Sequence, residues 1–136
     1  MDVERKSRNG RKIITSSAAP AAVGSYSQAV RAGDFLFLSG QLCANPETGK
    51  LEKDTVAIQT RRTLENVKAI VSEAGGTLDD VVSCHVFLSD MKHFVEFDAV
   101  YREYFTPPYP ARITVASAGI YADLDVEMTA TVYLST

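Results

Sequence analysis

The stretch Leu124-Asp125-Val126-Glu127-Met128-Thr129-Ala130-Thr131-Val132-Tyr133-Leu134 alternates without a break between apolar and polar side chains. A period of two puts Leu124, Val126, Met128, Ala130, Val132 and Leu134 on one face of a strand. Asp125, Glu127, Thr129, Thr131 and Tyr133 take the other. The apolar face packs under covering structure, and the polar face is turned away from it.

The covering structure lies upstream. Asp54 is a suitable N-cap and Gly75 a suitable C′ residue for a long helix between them. Ala57, Thr60, Leu64, Val67, Val71 and Ala74 recur on one side of it at helical spacing. Asp90 can cap a second helix, whose apolar side is Phe94, Phe97, Tyr101 and Tyr104 and which Pro107 and Pro108 stop. Between the helices, residues 81–89 form a strand with Val82, Cys84, Val86 and Leu88 on one side. Residues 111–117 form another. Toward the N-terminus, residues 12–15 read as an edge strand, and residues 26–30 and 35–39 as a hairpin turning at Gly33-Asp34. Asn45-Pro46-Glu47-Thr48-Gly49 is turn chemistry. The order is β-β-β-α-β-α-β-β, an α+β domain with two helices on one face of a mixed sheet.

The bulk properties agree with one domain. The chain has 136 residues, is 46% hydrophobic and 23% charged, and carries a net charge of −3. Its mild acidity argues against a nucleic-acid partner, which calls for a basic excess. No apolar run is long enough for a bilayer, so no membrane role is expected. Without an apolar leader, the expected compartment is the cytoplasm, where Cys43 and Cys84 stay free thiols. Residues 1–11 read as a polar N-terminal tail and residues 12–136 as the domain.

The face away from the helices should carry Phe35 and Phe37, or Leu36 and Leu38, with Phe87 and Tyr133. That is too much apolar area to leave in water, so self-association is expected. A dimer is the usual prior, and nothing in the pattern selects another number.

Chemistry enters at Ala111-Arg112-Ile113-Thr114-Val115. With Ile113 and Val115 on the core parity, Arg112 and Thr114 point away from the helices, as does Glu127. If the last two strands are neighbours, a guanidinium, a hydroxyl and a carboxylate share one wall facing another subunit. A guanidinium grips carboxylates with two parallel hydrogen bonds, and a carboxylate can take a proton from water. An Arg112–Glu127 salt bridge across an interface is the competing reading.

Several segments, in order, resemble the Rid (YjgF) family of enamine/imine deaminases. They are Gly24-Ser25-Tyr26-Ser27-Gln28-Ala29-Val30, Ser39-Gly40-Gln41 with the 45–49 turn, Thr63-Leu64-Glu65-Asn66-Val67-Lys68-Ala69-Ile70 and Val86-Phe87-Leu88-Ser89-Asp90. Pro110-Ala111-Arg112 and Val126-Glu127-Met128 close the series. The resemblance implies a chorismate-mutase-like fold, a homotrimer and active sites in inter-subunit clefts. It implies hydrolysis of 2-aminoacrylate and 2-aminocrotonate, through their imines, to 2-keto acids and ammonia, with no cofactor and no metal. Arg112 would clamp the substrate carboxylate and Glu127 would hold the hydrolytic water. Tyr26 and Ser39 would line the cleft, and the backbone at Thr114 would contact substrate near its nitrogen.

Ser25, Asp98, Ile113, Thr114 and Tyr121 depart from residues common in that family, which leaves the preferred imine open. Two other functions compete: an endoribonuclease, a label often given to the family, and a non-catalytic sensor of small carboxylates. His85 reads as an interface residue and His93 as a solvated one. Gly75-Gly76 lacks the lysine of a phosphate loop, and Arg61-Arg62 reads as a solvated helix face.

Overall fold

The structure is a computed structural model that describes residues 10–135. Residues 1–9, most of the expected tail, lie outside the described residues. Eight main elements follow in order: β1 (Lys12–Ile14), β2 (Ala29–Ala32), β3 (Phe35–Leu38), α1 (Val56–Glu73), β4 (Val81–Leu88), α2 (Phe94–Tyr104), β5 (Ala111–Ala116) and β6 (Val126–Tyr133). The six strands form one sheet in the order β1-β2-β3-β6-β4-β5. β4 and β5 run parallel, and the other pairings are antiparallel. The expected α+β fold is therefore observed, a mixed sheet with both helices packed into one core.

That core follows the alternation in β6. Val126, Met128, Ala130 and Val132 are buried against Leu36 and Leu38 of β3 and Cys84, Val86 and Leu88 of β4. Leu64, Val67, Ile70 and Val71 of α1 close over them, with Phe97, Val100 and Tyr101 of α2. The parity of β3 is thereby settled: Leu36 and Leu38 go in, Phe35 and Phe37 go out. Phe35 meets Tyr133 edge-on across the open face, with ring centroids 5.3 Å apart.

Thr55, one residue later than expected, caps α1 by accepting the Ile58 N–H at 3.2 Å. Asp54 instead accepts the N–H of Thr55. Gly75 has the expected positive φ just past the helix. The inner side of α1 also buries four polar residues: Gln59, Thr60, Thr63 and Asn66. Asn66 donates to the carbonyls of Leu42 and Ala44 at 3.0 and 2.9 Å. Gln59 donates to the Asp125 carboxylate and accepts the Asp125 N–H. Helical spacing shows which side of α1 faces inward, yet these side chains hold the 39–54 loop and the entry to β6.

Three expectations need correction. The second strand starts at Ala29, not Tyr26, because Gln28 stitches the preceding loop. Its side chain accepts the Ser16 N–H at 2.6 Å and donates to the carbonyls of Ser16 and Pro20. Val82 is exposed and does not share a side with Cys84, since the register slips between Val81 and Ser83. The third correction concerns β5. β4 separates it from β6, and its register pairs Arg112 with Cys84 and Thr114 with Val86. Neighbouring side chains in a sheet point the same way, so Arg112 and Thr114 face the helices. Ile113 and Val115 lie on the open face, 53% and 39% exposed. As the last strand, β5 receives only partial cover from α2, and its inward positions can hold polar groups.

Asn66→Ala should lower unfolding free energy by about 1–3 kcal/mol, because two loop carbonyls lose their donor. Urea denaturation of the purified variant checks this.

Candidate active site

Arg112 leaves β5 toward α2. Its Nη1 donates to Asp98 Oδ1 at 2.7 Å, with both side chains about one-fifth exposed, at 21% and 23%. The guanidinium carbon lies 4.6 Å from the Tyr101 ring centroid and 5.4 Å from that of Phe94. An aromatic face attracts a cation laid over it, so the ring and the carboxylate together fix the guanidinium plane. Asp98, Tyr101, Arg102, Tyr109, Pro110 and Arg112 line a cleft of about 390 Å³. Thr114, two residues along, has a buried Oγ1 with no hydrogen-bond partner. Its side chain is enclosed, and the segment beside it is the sheet's free edge.

Glu127 stands on the opposite face, paired with Phe87 on β4. Its carboxylate packs on Gly40, where a Cβ would collide with Oε2. Burial pushes its carboxyl up from the ordinary value. A half-buried carboxylate with a raised pKa is a candidate proton acceptor. Gly40 and Gln41 also line a cleft of about 580 Å³, with Tyr26, Val23 and Tyr121 on its walls. Gln41 holds the floor in place by exchanging backbone hydrogen bonds with Met128 at 2.8 and 3.1 Å.

The expectation that Arg112 and Glu127 share one wall of a single chain is therefore overturned, and no salt bridge forms between them within the chain. They stand on opposite faces and on strands separated by β4. Tyr26 falls with Glu127, where its ring lines the larger cleft. Ser39 acts one step back: its hydroxyl donates to the Ser27 carbonyl at 2.5 Å, and its N–H to Gln28. It ties the Tyr26 loop to the end of β3. Gly40 and Asp98 carry the geometry around Glu127 and Arg112. Neither role has a signature in residue spacing, although Asp98 stands out as a departure from the family pattern.

The remaining candidates take quieter places. Cys43 and Cys84 are buried, and burial pushes both thiols up, away from the thiolate a nucleophile needs. His93 is not simply solvated, as its Nε2 lies 3.7 Å from Asp125 Oδ1. His85 projects from β4 onto the open face beside Ile113. Arg61 pairs with Glu103 on α2 and Arg62 donates to Asn66, so neither is a free surface cation. Among the described residues, no helix is long and apolar enough to cross a membrane, and no cluster of three or more His, Cys, Asp or Glu could hold a metal ion.

Comparison with known proteins matches residues 16–134 to the family described as endoribonuclease L-PSP. A RutC family protein of Pyrococcus abyssi is 42% identical over 123 residues, which cover 90% of this chain and 97% of that protein. The crystal structure of RidA from an Antarctic Psychrobacter superposes with a TM-score of 0.86 at 40% identity, covering 89% of this chain and 98% of that one. The structure of Escherichia coli TdcF with bound serine superposes with a TM-score of 0.86 at 39% identity, covering 91% and 99%. By sequence and fold together, the chain belongs to the Rid (YjgF) family, the endoribonuclease L-PSP family of the matching model.

Proposed function

We propose that the chain hydrolyses small 2-imino acids to 2-keto acids and ammonia, in clefts between copies of itself. The observation that carries this reading is the Glu127 carboxylate, half-buried, raised in pKa and packed on a residue with no side chain. The serine bound to E. coli TdcF supports the ligand class, since serine carries a carboxylate and a nitrogen on one carbon.

Because the two halves lie on opposite faces of one chain, a complete site takes Arg112 from one copy and Glu127 from the next. Such a contact joins two different patches, and repeated around a symmetry axis it closes a ring; the homotrimer that the family resemblance implies is the ring proposed. The exposed apolar side chains of the open face, Phe35, Phe37, Ile113, Val115 and Tyr133, support association in water. In the assembled cleft Arg112 clamps the carboxylate, and Tyr26 and the Thr114 backbone edge border the substrate. Ser39 keeps the Tyr26 loop in place.

The reaction then needs only an oriented water and a proton acceptor. Water adds to C2 of the iminium while Glu127 removes one of its protons, giving a neutral carbinolamine. Glu127 returns that proton to the nitrogen. The C–N bond breaks, ammonia leaves, and the hydroxyl gives its proton to the Glu127 carboxylate as C2 becomes a ketone; that proton then passes to the departing ammonia.

Arg112→Ala should lower kcat/KM for 2-iminopropanoate by about one to two decades, from a lost charge-assisted bond of ~1.5–3 kcal/mol. The imine is generated in situ by a dehydratase, and what remains is trapped with semicarbazide; equal turnover by variant and wild type would end the clamp reading. RNA cleavage that needs Glu127, without imine turnover, would put a nuclease in its place.

Glu127 acts only when ionised, so the rate should fall as pH drops through its raised pKa. Glu127→Gln should abolish that limb along with most of the rate. Because the raised pKa disfavours the ionised form in the fold, Glu127→Gln should also be at least as stable as wild type above that pKa. Rate and melting profiles against pH read both effects.

Phe37→Asp should leave the fold intact and shift the protein toward single chains, with loss of turnover. Sedimentation velocity and circular dichroism on the same sample separate the two outcomes.

A further inference from the structure

Asp98 does more in this cleft than neutralise Arg112. Its Oδ1 accepts from Arg112 Nη1 at 2.7 Å, but its Oδ2 makes no such bond. Arg102 Nε lies 3.6 Å from Oδ2, on a side chain 59% exposed, too far and too solvated to be a strong partner. Both Asp98 and Arg112 line the same cleft, beside Tyr109 and Pro110. One wall therefore presents a guanidinium and a carboxylate oxygen side by side.

We infer that Asp98 is a specificity-determining residue, and that the Asp98–Arg112 pair selects ligands that are zwitterionic about a single carbon, an iminium or ammonium next to a carboxylate. The inference rests on Arg112 being the carboxylate clamp. A ligand carboxylate takes the free edge of the guanidinium, and the adjacent N–H group of the ligand donates to Asp98 Oδ2. A 2-keto acid supplies the carboxylate but brings a carbonyl oxygen against the Asp98 carboxylate, which repels it. The pair thus holds the protonated imine, the more electrophilic form, and releases the keto acid product. A purely structural Asp98 would lock the guanidinium against α2 and treat both ligands alike.

Matched ligands of one carbon skeleton test this. L-2-aminobutyrate and 2-ketobutyrate are titrated by calorimetry into the assembled wild-type protein, Asp98→Asn and Arg112→Gln. Wild type should bind the amino acid more tightly than the keto acid. Asp98→Asn keeps an acceptor for Arg112 but removes the charge, and should move the affinity ratio toward the keto acid by about tenfold. A wild-type preference for 2-ketobutyrate, or an Asp98→Asn ratio within twofold of wild type, would overturn the inference, and the first needs no variant to fold. If Arg112→Gln binds both ligands as wild type does, the clamp itself fails. If Arg112→Gln loses both while Asp98→Asn leaves the ratio unchanged, only the role of Asp98 falls.

Discussion

The register that sets Arg112 beside Cys84 decides what this domain can do. Cys84, Val86 and Leu88 have to point under the helices because they complete the core with the inner parity of β6. β5 runs parallel to that strand and inherits its parity. Arg112 and Thr114 are drawn inward, and Ile113 and Val115 are left on the open face. A slip of one residue would exchange the two sets. Arg112 would then stand on the face that carries Glu127, and a single chain could bring both to one wall.

A guanidinium turned toward a helix loses hydration, and that loss is offset locally. Asp98 supplies a charge-assisted hydrogen bond, and the Tyr101 ring lies beneath the cation. Glu127 receives no such compensation: burial alone shifts its pKa, upward. The two charged groups are thus handled in opposite ways. Arg112 is held in a fixed plane by its partners, and Glu127 is left a more basic carboxylate than an exposed one. Gly40 belongs to the same arrangement, because any larger residue there would displace the carboxylate.

Much of this was legible in the sequence where burial is two-sided and periodic. The alternation of residues 124–134 gave the core parity of β6, and the 3.6-residue spacing gave the inner side of α1. The cap at Asp54 fell one residue early because Asp and Thr are both good caps and stand side by side. The parity of residues 111–117 failed for a clear reason. Alternation of apolar and polar residues signals a buried face only where something covers it, and edge strand β5 has its apolar residues on the uncovered side. The same rule misplaced Val82, where a register slip breaks the period. Arg112 and Glu127 stood out through family resemblance, but no local pattern could tell that β4 separates their strands.

On the proposed reading, the split between the halves also ties function to assembly. The open face exposes Phe35, Phe37, Ile113, Val115 and Tyr133, the apolar area that the proposed contact between copies would bury. If that contact also carries one chain's Glu127 toward another's Arg112, the area that drives association holds the reacting groups in place. Single chains would then keep a stable core, since none of the core residues depends on the neighbour. They would hold a proton acceptor and a carboxylate clamp facing away from each other. Catalysis would vanish on dissociation without unfolding, because the missing element is a second wall and not a missing residue.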